Sequence, residues 1–94
     1  MRIVDIIWFP QVIDKLDWKH NLTPEEVEAA LFGNTMYRKV QRGHIPGEGL
    51  YAALGRTNAG RYLIVFFIYK LTREALISSA RDMDDKERRQ YERK

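Results

Sequence analysis

Eight consecutive apolar residues, Tyr62-Leu63-Ile64-Val65-Phe66-Phe67-Ile68-Tyr69, constrain the fold more than any other feature of the chain. The run is rich in β-branched and aromatic side chains and is apolar at odd and even positions alike. It therefore reads as a strand covered on both faces, at the centre of a sheet. It is too short to cross a bilayer, which takes roughly 20 residues. A central strand needs a partner at each edge and cover above and below, and 94 residues give room for one such core. Residues 1–94 are read as a single domain.

The partners follow from the flanking patterns. Met36, Arg38 and Val40 alternate with Tyr37, Lys39 and Gln41, the two-residue period of a strand with one basic exposed face. Leu50 to Arg56 reads as a strand that turns at Thr57-Asn58-Ala59-Gly60 into the central one. Arg73 to Ala80 reads as the next strand, and Ile3 to Trp8 as the first.

Helices are marked by their ends. Pro10 suits the first turn of a helix running to about His20. Thr23-Pro24-Glu25-Glu26 carries a cap, a first-turn proline and a carboxylate three residues on, a capping box for a helix that ends at Gly33. Asp84 and Glu87 form a second box and open a last helix, for which Tyr91 is the expected packing anchor. The expected fold is an α+β domain: a small antiparallel sheet with two N-terminal helices and one C-terminal helix, in the order β-α-α-β-β-β-β-α.

The chain has no cysteine, which excludes a disulfide scaffold, a thiolate metal site and a cysteine nucleophile. Two histidines, His20 and His44, are too few for a histidine cage, so neither a metal nor a cofactor is expected. No Walker loop, dinucleotide fingerprint, HExxH or nucleophile elbow occurs. The first residues lack a signal-peptide pattern, and a cytoplasmic location without membrane association is the expectation.

Net charge is +3, unevenly spread. Residues 1–34 carry 3 basic and 6 acidic side chains, whereas residues 35–61 carry Arg38, Lys39, Arg42, Arg56 and Arg61 against Glu48 alone. A basic middle attracts polyanions through counterion release. Arginine, lysine, histidine and tyrosine around a small sheet suit RNA cleavage by attack of the 2′-hydroxyl. That reaction needs a proton acceptor, cations for the charge developing on phosphorus, and a proton for the leaving oxygen. Arg56 and Arg61 bracket a tight turn, and Arg81 closes a strand. Their planar forks can each grip two phosphate oxygens. His44, in the loop Gly43-His44-Ile45-Pro46-Gly47-Glu48-Gly49, is the first candidate base and His20 the second. Arg38, Lys39, Arg42 and Arg88 are candidate RNA contacts. Ordinary structural roles compete at each position: a helix-face histidine at His20, an ion pair with Asp5 or Asp82 at Arg81, a solvated helix face at Arg88.

Three segments resemble a known family. Ile77-Ser78-Ser79-Ala80-Arg81 followed by Glu87-Arg88-Arg89-Gln90-Tyr91-Glu92 is similar to the closing "I-S-A-R … E-R-x-x-Y-E" of the BrnT-type toxins of bacterial toxin–antitoxin systems. Lys19 to Glu26 resembles their "K-H-G-V-(S/T)-x-E-E", and Leu54 to Leu63 their "I-G-R-S-x-x-G-R-x-L". The resemblance spans nearly the whole chain. It implies a RelE-like fold and a metal-independent endoribonuclease toxin that acts on RNA. It also implies inhibition by a BrnA-type antitoxin protein, with DNA reached only indirectly through that antitoxin, in a heterotetramer or with the chain itself a homo-oligomer. His20, Arg56, Arg61, Arg81, Glu87, Arg88 and Tyr91 fall on the family's motif positions, and Arg56, Arg61 and Arg81 are assigned to the scissile phosphate. Two positions depart from the pattern. Asn21 replaces a glycine, which asparagine tolerates because it enters the left-handed region, and in the family's loop pattern "H-x-x-G-E-x-R-(F/Y)", which His44, Gly47, Glu48 and Tyr51 fit, Leu50 stands in the arginine slot. The loss of that arginine favours the alternative, a non-catalytic toxin-like protein that docks an antitoxin and supports operon autorepression. General nucleic-acid binding through the basic strand face is a third reading.

Overall fold

The computed structural model describes residues 1–43 and 45–93. The elements run β1 (Asp5–Ile7), α1 (Pro10–His20), α2 (Pro24–Phe32), β2 (Met36–Arg42), β3 (Gly49–Arg56), β4 (Tyr62–Tyr69), β5 (Glu74–Asp82) and α3 (Asp85–Glu92). One five-stranded sheet has the order β1-β5-β4-β3-β2, so the apolar run is the central strand. Strands β2 to β5 form the expected antiparallel ladder. The first strand adds a feature the sequence pattern did not announce: it pairs parallel with β5, through Asp5, Ile6 and Ile7 opposite Glu74, Ala75 and Leu76, and makes the sheet mixed. It is also shorter than the apolar stretch Ile3 to Trp8 suggests. Trp8 lies outside the strand and donates its indole N–H to Glu28 at 3.0 Å, tying the first loop to α2.

Local chemistry explains the helix ends. The Thr23 hydroxyl accepts from the Glu26 N–H at 3.2 Å while the Glu26 carboxylate accepts from the Thr23 N–H at 3.1 Å. Asn21 ends α1 in the left-handed region (φ 53°), and the N–H groups of Asn21 and Leu22 close on the carbonyls of Asp17 and Leu16.

The two faces of the sheet are covered differently. On one, α1 and α2 bury Leu16, Leu22, Val27, Ala30 and Leu31 against Ala53, Leu63, Val65, Phe67 and Ile77. Contact there is close enough that a Cβ on Gly55 would lie 2.1 Å from the Ala30 carbonyl oxygen, so β3 and α2 meet backbone to backbone. The other face carries Ala52, Leu54, Ile64, Tyr62 and Phe66, and α3 covers part of it through Tyr91. Tyr91, the expected anchor, is 8% exposed and donates its hydroxyl to the Asn34 carbonyl at 2.7 Å. No other residue of α3 is buried. The described residues contain no helix long and apolar enough to cross a membrane.

Candidate nucleic-acid interface

Strand alternation sorts the charged side chains. Met36, Leu54, Ile64 and Arg81 share one cross-strand row, and Arg38, Ala52, Phe66 and Ser79 share the next. Arg56 stands opposite Tyr62 at the hairpin end of the same face. The sequence therefore places three arginines from three strands on the face that α3 crosses, and α3 brings a fourth, Arg88.

Aromatic rings are the platform for these cations. The Tyr62 ring lies under two guanidinium groups, Arg56 at 5.0 Å and Arg88 at 4.0 Å from its centroid. Arg81 sits 5.7 Å over Phe66. Each such contact contributes about 0.5–1 kcal/mol at an exposed site. The Tyr91 ring meets Tyr62 edge-on, with centroids 5.9 Å apart. Arg38 reaches α3 by donating to the Gln90 side chain at 3.0 Å, and the Tyr62 hydroxyl donates to Glu92 at 3.3 Å. Arg88 also stands 4.0 Å from Glu92.

The arginines differ in how far their charge is already spent. Arg81 donates from both terminal nitrogens to Glu87, each at 2.8 Å. That bidentate contact raises the arginine's pKa and holds the Glu87 carboxyl below its ordinary value. The ion-pair partner of Arg81 is Glu87 rather than Asp5 or Asp82, and Asp82 contributes only its backbone carbonyl, which accepts from Arg81 at 3.1 Å. The Arg56 guanidinium is exposed and makes no side-chain hydrogen bond among the described residues; it borders a groove with Asn34, Thr57, Asn58, Gly60 and Tyr91.

Arg61 belongs to a different cluster. Its guanidinium donates to the carbonyls of His20 and Asn21, each at 2.8 Å, and to Asp82 at 2.7 and 3.1 Å, with Glu26 at 3.5 Å. It closes the C-terminal carbonyls of α1, which that helix leaves without intrahelical partners. The Arg61 hydrogen bond is the main cause of the lowered pKa of Asp82, with the nearby His20 adding to it. Arg61 and His20 thus sit together at the end of α1, apart from the Arg56, Arg81 and Arg88 group. The hairpin does not bring Arg56 and Arg61 to one point.

Arg38 lies on the α3 side. Lys39, paired with Tyr51, lies on the opposite side. Arg42, at the end of β2, borders a hollow formed with the loop after it. His44 lies outside the described residues. No group of three or more His, Asp or Glu that could hold a metal ion occurs among the described residues.

Tyr62 and Phe66 are functional candidates that periodicity does not reveal, because in the sequence they are part of an unbroken apolar run. The arginines that meet these rings lie 6 and 26 residues from Tyr62 and 15 from Phe66, and they become informative only once the strands are paired. The chain matches no protein-family model, and no match is found among curated proteins.

Proposed function

We propose that the α3-side face of the sheet binds single-stranded RNA and that the chain is a metal-independent endoribonuclease toxin of the BrnT type. The observation that carries this reading is the pair of guanidinium groups, Arg56 and Arg88, over the Tyr62 ring, with Arg38 and Arg81 on the same face. Arginines clustered on half-buried aromatic rings suit the phosphates of a flexible polyanion. The sequence resemblance adds the reaction. In it, the 2′-oxygen attacks phosphorus, the bond to the 5′-oxygen breaks, a base takes the 2′-proton, and the leaving oxygen gains one. The products are a 2′,3′-cyclic phosphate and a 5′-hydroxyl. Arg56 and Arg88 contact the phosphate in this account. For the base, His44 is the first candidate and His20, beside Arg61 and Asp82 at the end of α1, the second.

A specific observation favours the second reading, a docking protein without turnover. Arg61 and Arg81, two of the three arginines assigned to the phosphate, direct their forks at carboxylates.

The experiment is RNA cleavage by the purified chain in EDTA, beside Arg56→Ala, a variant at an exposed position. Cleavage that leaves 2′,3′-cyclic phosphate and is lost in the variant supports the ribonuclease. Intact RNA from a folded sample, with tight binding to the protein encoded beside it, supports the docking reading.

A further inference from the structure

Two β-bulges bracket the end of the sheet face that α3 leaves uncovered. On β2 the register skips Val40, between Lys39 opposite Tyr51 and Gln41 opposite Leu50. On β5 it skips Ser78, between Ser79 opposite Phe66 and Ile77 opposite Phe67. Bulges bend a strand and re-aim the side chains beside them. These two bend the flanks of the sheet on either side of one cross-strand pair, Leu50 and Ile68. The result is a hollow of about 430 Å³ with Leu50 and Ile68 in its lining and Gln41 and Ser78 at its sides.

At one wall of the hollow the Gly43 N–H donates to the Glu48 carbonyl at 2.9 Å, and a Cβ at Gly43 would stand 2.6 Å from that oxygen. The Glu48 carboxylate then ties the loop to the β4–β5 turn, accepting from the Leu71 N–H and from the Lys70 ammonium, both at 3.1 Å. Its charge is therefore spent within the fold.

We infer that this hollow is a nucleobase subsite. The inference rests on the RNA-binding reading above and extends it to a specific pocket. The lining joins apolar Leu50 and Ile68 to an amide, a hydroxyl and the cations of Arg42 and Lys70, which matches a flat heteroaromatic ring whose edge carries donors and acceptors and which is joined to a phosphate. A volume of about 430 Å³ falls in the range of small-molecule pockets. The Gln41 amide offers one donor edge and one acceptor edge, the pairing that adenine presents in return. Placement agrees with chemistry. Ile68 is two residues from Phe66 along β4, about 7 Å, so a base in the hollow lies beside the arginine-bearing rows. Tyr62 lies about 20 Å further along β4, with Tyr91 of α3 packed on Ala52, Leu54 and Ile64 in between, so the row of Arg38 and Phe66 is the arginine-bearing row next to the hollow.

The test is a titration of the whole chain with adenosine 5′-monophosphate, followed by the NMR signals of the Leu50 and Ile68 methyl groups, with ribose 5-phosphate as the control. The expected result is saturable movement of those signals by the nucleotide at millimolar concentration and none by the sugar phosphate. Gln41→Leu with Ser78→Ala should weaken the nucleotide at least fivefold in a protein whose remaining signals stay in place. Equal shifts from ribose 5-phosphate, or no movement of the two methyl groups, would overturn the subsite. Nucleotide binding in the hollow by a chain that leaves RNA intact keeps the subsite and removes the ribonuclease. Cleavage in EDTA without nucleotide binding removes the subsite alone.

Discussion

Arg81 and Glu87 are joined by two parallel hydrogen bonds of 2.8 Å, and the same Glu87 carboxylate accepts from the Asp84 N–H at 2.9 Å. One side chain thus closes the capping box of α3 and fastens that helix to β5. A helix whose buried surface is confined to Tyr91 needs such a tie, because propensity alone does not hold eight residues in helical form.

Glu87→Gln should therefore loosen α3. The Glu87 side chain is 12% exposed and Arg81 is 38% exposed, so solvent screening discounts the ion pair. With the weakened box included, a loss of about 1 kcal/mol is expected. Urea unfolding measures the loss, and amide exchange in residues 85–92 should speed up more than exchange in β4. Unchanged exchange in α3 would contradict the assigned role.

The same carboxylate sets a pH dependence. The hydrogen bonds from Arg81, Arg61 and the Leu71 N–H lower the pKa values of Glu87, Asp82 and Glu48 respectively. A lowered folded-state pKa contributes stability that is complete above the unfolded value and disappears as pH falls through the folded one. Stability should be level near neutrality and decline once pH drops below the ordinary carboxylate values of 4.5 and 3.8. Urea midpoints measured against pH should fall less steeply for Glu87→Gln than for the parent. Equal slopes would remove Glu87 from the account.

Gly55→Ala tests the backbone contact between β3 and α2. A Cβ 2.1 Å from the Ala30 oxygen forces the helix outward. Overpacking of this kind costs about 1–3 kcal/mol, sometimes more. A melting temperature within a degree of the parent would show that α2 yields without strain.

Arg61→Ala should behave as a structural lesion. It leaves Asp82 without its cation and opens two carbonyls at the end of α1, for a loss of about 2 kcal/mol. RNA affinity measured at a temperature where the variant is folded should stay within about twofold of the parent. A stable Arg61→Ala protein that has lost RNA binding would reverse the assignment and move the interface to the end of α1.

Much of this architecture is written locally. The capping boxes at Thr23 and Asp84, the left-handed Asn21, the turn after Arg56 and the run from Tyr62 to Tyr69 each act over a few residues, and each element lies where its signal places it. Pairing across the chain is less legible. Nothing in Asp5-Ile6-Ile7 says that it will run parallel to β5, because a three-residue strand carries too little pattern to choose a partner. The partner of Arg81 is six residues away, yet Asp5, Asp82 and Glu87 all carry the same charge, and the direction of α3 decides among them. Val40 and Ser78 bulge without a glycine or proline to mark them, so the hollow they shape emerges with the register. Leu50, a departure from the resembled family's loop, lines that hollow.

In the proposed function, RNA meets the α3-side face through Arg56 and Arg88. The most direct measurement compares the salt dependence of single-stranded RNA binding for the parent, for Arg56→Ala with Arg88→Ala, and for Arg2→Ala with Lys15→Ala as a control of equal charge. Loss of two phosphate contacts should lower affinity about tenfold or more and reduce the log–log salt slope by about 1.4, from roughly 0.7 per contact on a single strand. The control should match the parent in slope. Equal losses in the two double variants would mean that RNA responds to net charge alone, and would contradict an interface on this face.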